Sequence, residues 1–178
     1  MAAFHTFASR FSIACCLCIS TGIAASGQEP PVQSSVVFCD VKYDLAWVDE
    51  GEGERSRTNE YLREGQSLEQ WSSMLAVRQW HNRHQVRDVT KPYLDQIRHL
   101  FVQDAKMYAP GSGRDDNGLV VECYLAPPDK SYLEYNLIRF CTEPGEQGVK
   151  SYQFASRGPY DLPSAQKHNQ KMLGERLR

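Results

Sequence analysis

The chain has no P-loop, no dinucleotide-binding GxGxxG, no HExxH and no GxSxG, so no reaction class is written into its motifs. It has no apolar run long enough to cross a bilayer. The longest, Phe11–Ala25, would reach only about 22 Å as a helix against a hydrocarbon core of about 30 Å. It has no excess of basic charge: 20 Lys and Arg stand against 22 Asp and Glu. That balance excludes a dedicated nucleic-acid binder and offers no general attraction to anionic lipid. It is also short of cysteine where cysteine would count. Of six, Cys15, Cys16 and Cys18 lie in the first 27 residues, leaving Cys39, Cys123 and Cys141. Three thiols without a CxxC spacing allow one bridge at most, and support neither a zinc ribbon nor a thioredoxin-like site.

What is present begins with a secretory pattern. A stretch with one fixed charge, Arg10, precedes the apolar run, and Ala24-Ala25-Ser26-Gly27 supplies the small residues a signal peptidase accepts. Residues 1–27 therefore read as a signal peptide. Lipidation at Cys15 or Cys16 is disfavoured, because Ser12 stands where a large aliphatic belongs. The mature chain would open Gln28-Glu29-Pro30-Pro31, keep 19 basic against 22 acidic residues and carry a net charge of −3. An exported product, periplasmic or extracellular, is expected. Residues 28–35 read as a flexible lead-in and 36–178 as a single domain, large enough for an ordinary core.

Alternation from Val37 through Cys39, Val41, Tyr43, Leu45 and Trp47 predicts one half-buried strand. The acidic turn Asp49–Glu54 then reverses the chain into a polar strand near Arg55–Arg63. Ser67-Leu68-Glu69-Gln70 fits a capping box and predicts a short helical turn, followed by a strand over Met74–Trp80. Residues 81–91 read as loop. Thr90 with Pro92 starts the clearest helix, in which Tyr93, Leu94, Ile97, Leu100, Phe101 and Ala105 recur at helical spacing. The segment Gly111–Gly118 is turn chemistry. A meander follows over Leu119–Leu125, Tyr132–Thr142 and Val149–Ser156, and residues 164–177 form a last helix with a thin apolar stripe.

The expected fold is α+β, a largely antiparallel sheet of about six strands with two main helices in the order β-β-β-α-β-β-β-α. Burial of Trp47 and Trp71 is expected, with the helix over Tyr93–Ala105 packed on the sheet. This order resembles the sandwich architecture of PsbP/Mog1-like proteins, a likeness of fold that implies no chemistry. The run Glu60 to Val77, with Trp71 entering a Met/Leu/Val strand, and the later pairs Tyr135-Asn136 and Tyr152–Arg157 resemble segments of an uncharacterised family of small exported bacterial α+β proteins. That resemblance implies an exported single domain and transfers no catalytic residue.

Hairpin arithmetic singles out two side chains. A first loop centred on Pro128-Asp129 puts Cys123 opposite Glu134; a second centred on Gly145 puts Glu134 opposite Ser156 and Asn136 opposite Phe154. One face then collects Leu119, Val121, Cys123, Leu125, Ile138, Phe140, Tyr152 and Phe154, with Glu134 and Asn136 in its middle. A carboxylate held there would have a raised pKa, as functional carboxylates often do. Two bland alternatives stand beside this: a one-residue slip turns both outward, or Glu134 sits at a sheet end or pairs with Arg157.

Other candidates are weaker. His81 and His84 read as surface histidines, and Asp49–Glu54 lacks the alternation of an EF-hand loop. Ser112 lacks the strand of a nucleophile elbow. The C-terminal segment is locally basic through Lys167, Lys171, Arg176 and Arg178. In the meander, Cys123 and Cys141 lie too far apart to bridge, so any internal disulfide would include Cys39. The expected function is non-enzymatic binding of a ligand or an envelope protein, without cofactor, metal, nucleic acid or transmembrane anchor. The alternatives are a small extracytoplasmic enzyme using Glu134 as acid/base with Asn136 as support, and envelope association through the basic C-terminal helix.

Overall fold

The computed structural model describes residues 32–51, 56–108, 118–142 and 148–176. Residues 1–27, Ser112, the tip of the acidic turn, the second hairpin loop and Arg178 lie outside them. Eight strands form a single antiparallel sheet: β1 Ser35–Phe38, β2 Val41–Asp49, β3 Ser56–Leu62, β4 Ser73–Trp80, β5 Lys106–Tyr108, β6 Leu119–Leu125, β7 Leu133–Cys141 and β8 Val149–Gly158. Helix α1 (Val86–Ile97) separates β4 from β5, and α2 (Leu162–Arg176) follows β8. The spatial order is β1-β2-β3-β4-β8-β7-β6-β5, so β8 closes the sheet by lying between β4 and β7. The fold is thus α+β, with eight strands rather than about six and the order β-β-β-β-α-β-β-β-β-α.

The first extra strand comes from a turn the alternation concealed. Cys39 and Asp40 both have positive φ, 50° and 62°, and join Phe38 directly to Val41 as a two-residue hairpin. The reversal puts Val36 and Phe38 on the face of Val41 and Tyr43, and leaves Val37 61% exposed. A bulge between Leu45 and Trp47 then moves Trp47 to the opposite face, level with Glu60, where it is half-buried while Trp71 is buried. The outer hairpin also curls. Four strand spacings would hold β1 about 19 Å from β8 in a flat sheet, yet the Phe38 and Phe154 rings lie 5.4 Å apart.

Helix α1 starts at Val86, inside the expected loop. Its N-cap, Gln85, makes no side-chain capping bond, so no start signal exists to read. Pro92 falls within the helix, not at its head. Val89, Tyr93, Leu94 and Ile97 are its buried stripe, and Tyr93 meets Phe140 edge-on at 5.7 Å. The helix also stops early. A single 3-10 turn, Arg98–Leu100, passes the chain to Phe101, which bridges Leu125; Val102 N–H then donates to the Tyr124 carbonyl. Docking against β6 converts the expected last helical turn into the approach to β5. Ser67 accepts the amide of Gln70 as in a capping box, but the Gln70 carbonyl turns back to Ser67, and no helix follows.

The sheet is buried on both sides. One face, with Met74, Val121, Cys123, Ile138 and Phe140, lies under α1. The other, with Tyr61, Leu75, Tyr124, Tyr135 and Phe154, lies under the curled β1–β2 hairpin and α2. Among the described residues no helix is long and apolar enough to cross a membrane.

Candidate functional site

The observed registers differ from the hairpin arithmetic in an instructive way. Cys123 faces Asn136 and Leu125 faces Glu134, a shift of two that keeps every side chain on its expected face. Left-handed Lys130, closing the Pro127–Lys130 turn, lengthens that connection. Across the second hairpin, Glu134 faces Arg157 and Asn136 faces Ala155. That shift is one residue, so Tyr152 and Phe154 pass to the opposite face and Gln153 and Arg157 take their place.

The α1-side face therefore holds a belt of polar groups. Glu60 and Ala76 pair, as do Ala76 and Gln153, while Arg78 lies one step along β4 on the same face. Glu60 and Arg78 approach to 3.7 Å with side chains 1% and 8% exposed. Arg157 Nε donates to Glu134 Oε2 at 3.0 Å; the Glu134 side chain is buried and that of Arg157 is 10% exposed. The Arg157 guanidinium is also held between two rings, 3.8 Å from the Trp71 centroid and 4.3 Å from that of Tyr132. A clamp positions Trp71: the Gln66 side chain donates to Ser72 Oγ and accepts the Ser72 amide, and Arg157 N–H donates to the Ser72 carbonyl. Asn136 donates to the Glu134 carbonyl, and Tyr93 Oη donates to Gln153 Oε1 at 3.4 Å.

Burial pushes the Glu134 carboxyl up to about 7, against the pull of Arg157 and Asn136, and the Glu60 charge raises it further. Burial likewise drives the Cys123 thiol and the Tyr93 phenol well above their ordinary ranges. Glu134 lines neither the cleft under α2, nor a cavity of about 310 Å³ on the α1 face bordered by Arg78 and Tyr93, nor the surface depression by Arg63. Among the described residues the Glu134 carboxyl is buried against Arg157, away from these openings.

A larger opening is on the other face. A cleft of about 520 Å³ lies between the sheet and α2. Its floor is Leu133 and Tyr135 of β7 with Phe154 and Ser156 of β8; Ser73 of β4 and Tyr43 of the curled hairpin form one wall. Tyr43 Oη and Ser73 Oγ are hydrogen-bonded at 3.2 Å, tying β2 to β4 across β3. Ala165, His168 and Asn169 of α2 form the roof, and Arg63 and Asp161 stand at the rim. Asp161 caps α2: Oδ1 accepts the Ser164 amide, and bonds from Ser164 hold the carboxyl below its ordinary range. Asn169 donates to Tyr124 Oη at 3.4 Å, the buried anchor of the helix.

The structure thus brings Glu134, Asn136 and Cys123 onto one face and separates them from Cys141, which is buried in the opposite layer. Cys39 is exposed in the β1–β2 turn, and none of the three thiols is in a disulfide in this structure. The described residues hold no metal-binding cluster, His81 and His84 included. The cleft residues were missed because their convergence depends on the Cys39-Asp40 turn and the curl. The single tyrosines of β2 and β7, Tyr43 and Tyr135, carry no pattern that marks them as neighbours.

Neither a curated protein nor a solved structure matches the chain. A family model covers residues 31–176, which include every described residue, and the chain belongs to that uncharacterised protein family.

Proposed function

We propose that this chain is an exported, non-enzymatic binding domain that holds a small ligand in the cleft beneath α2. The observation that carries the reading is the cleft itself. Its volume of about 520 Å³ falls in the range of small-molecule sites, about 300–1,000 Å³. Its lining combines aromatic rings with hydroxyl and amide groups, the mixture that lets a site bury a ligand and also orient it. Export rests on the N-terminal apolar run ending in Ala-Ala-Ser-Gly. An enzymatic role for Glu134 has less support, because its carboxylate is 2% exposed and engaged by Arg157. Envelope association through α2 would use Lys167 and Lys171, which are exposed.

A ligand screen read by thermal shift tests the binding reading. A true cleft ligand raises the melting temperature, and a bulky Ala165→Trp substitution in the roof abolishes that rise. A rise that survives the substitution places binding elsewhere. The intact mass of protein recovered from the envelope or medium tests export: a chain beginning near Gln28 is expected, and one that retains Met1 overturns it.

A further inference from the structure

We propose that the solvent side of α1 docks a linear polyanion, an extended polymer that carries an anionic group on each repeat. This surface lies over the sheet face opposite the cleft and is independent of what the cleft binds.

The surface follows from where the helix puts its charges. Val89, Tyr93, Leu94 and Ile97 turn one stripe of α1 to the sheet, which leaves Arg87 and Lys91 outward. Arg98, the first residue of the 3-10 turn, continues their line. The three side chains are 82%, 81% and 70% exposed. At 3.6 residues per turn they fall within about 40° of one another around the helix, and within about 17 Å along it. Arg83, also exposed, precedes them in the turn that leads into α1. Two acids share the surface: Asp95 pairs with both Lys91 and Arg98, and Asp88 lies 3.9 Å from Arg87. Residues 83–98 therefore carry a charge of +2, on a chain whose net charge is −2. Exposed pairs of this kind contribute little, so a multivalent anion can take the place of the two carboxylates.

The form of the patch favours a chain over a membrane. A helix that lies on a bilayer sets large apolar side chains beside its cations. The exposed large apolar residues among those described, Val37, Val48, Met107, Tyr108 and Tyr160, all lie outside α1. What α1 offers is a narrow row of cations, spaced about 6 Å from Arg87 to Lys91 and about 10 Å onward to Arg98. That row complements charges strung along a single polymer.

Titration calorimetry of the native protein with inorganic polyphosphate and with heparin tests this, in about 20 mM and about 200 mM salt, where the screening length falls from about 20 Å to about 7 Å. At least one polymer is expected to bind at low salt and to lose about tenfold or more in affinity at high salt. Arg87→Ala with Lys91→Ala should weaken the low-salt binding about tenfold, while Lys167→Ala with Lys171→Ala on α2 should leave it unchanged. Both double variants replace exposed side chains with a good helix former and should keep the native denaturation midpoint. Failure of both polymers at low salt would overturn the proposal, as would an equal loss in the α2 variant. Phosphatidylglycerol vesicles that bind where both polymers fail would make a membrane the partner instead. Self-association abolished by the Arg87 and Lys91 substitutions, with both polymers silent, would make it a second copy. Either result overturns the polyanion and leaves the cleft reading untouched.

Discussion

The two faces of the sheet are built by the same strands and finished in opposite ways. Under α1, four apolar side chains from the helix close over the strands, and Glu60 with Arg78 and Glu134 with Arg157 lie largely buried as two ion pairs, Arg78 also bordering a cavity of about 310 Å³. Under α2, among the described residues, Leu162 and Ala165 add partly buried apolar contact, and the helix is anchored by Asn169 to Tyr124 and by Gln166 to Gln103. The apolar stripe of α1 keeps the carboxylates of these pairs from solvent. The described half of α2 meets the sheet through polar anchors and roofs the larger cleft. The raised carboxyl of Glu134 and the cleft under α2 therefore sit on different sides of this molecule, although a raised pKa is usually sought inside a cleft.

The largest expected effect breaks the sealed side. Arg157→Met leaves Glu134 buried without its counter-charge, and loss of one partner of a buried pair costs about 3–5 kcal/mol. Replacing both, Glu134→Leu with Arg157→Met, should recover most of that loss. Urea denaturation measures each. A single-variant cost below about 1 kcal/mol, the value of an exposed pair, would mean that this face is as open as the other.

Next comes the pH dependence of the same pair. Glu134 has its folded-state pKa raised from 4.5 to about 7. The folded state therefore binds the proton more tightly than the unfolded state. The stability from that proton is complete below about 4.5 and is lost as pH rises through about 7, a change on the order of 3 kcal/mol. Denaturant midpoints between pH 5 and 8 should decline in the native protein and run flat in Glu134→Gln. A native profile that rises over this interval would show that Arg157 outweighs burial, and that the carboxylate is ionised throughout.

Much of the scaffold was legible and much of the cleft was not, for physical reasons. The β6–β8 meander announces itself because apolar alternation is interrupted by short Pro/Asp and Gly loops, and β6 begins and ends at the expected residues. The Glu134 face was readable because a shift of two residues preserves the side on which a strand's side chains lie. Tyr152 and Phe154, expected on that face, lie on the opposite one because a shift of one does not. The α1 start carries no capping residue, so Thr90-Pro92 drew the boundary inward. The cleft depends on contacts between β1 and β8, more than a hundred residues apart, and on two left-handed residues that are not glycine. No local pattern encodes either.

The smallest effect sharpens the open side. Cys39 and Asp40 occupy left-handed backbone, where a Cβ costs about 1–2 kcal/mol at an ordinary residue and less at Asp. Asn-Gly is the preferred pair for such a two-residue hairpin. The double substitution Cys39→Asn with Asp40→Gly should therefore stabilise the protein by about 0.5–1 kcal/mol, through relief of strain alone. Part of the relief at Asp40 is offset by the extra freedom glycine gains in the unfolded chain, which keeps the gain small. The gain should be local: slower amide exchange in β1 and β2, with α1 and β6 unchanged. Since Phe38 reaches Phe154 only if the hairpin closes and curls, a firmer turn should also hold Tyr43 at the cleft wall. Loss of stability on this substitution would mean that the chain does not reverse at Cys39-Asp40. The segment from Val37 would then be a single strand, and the wall that makes the α2 face a cleft would be absent.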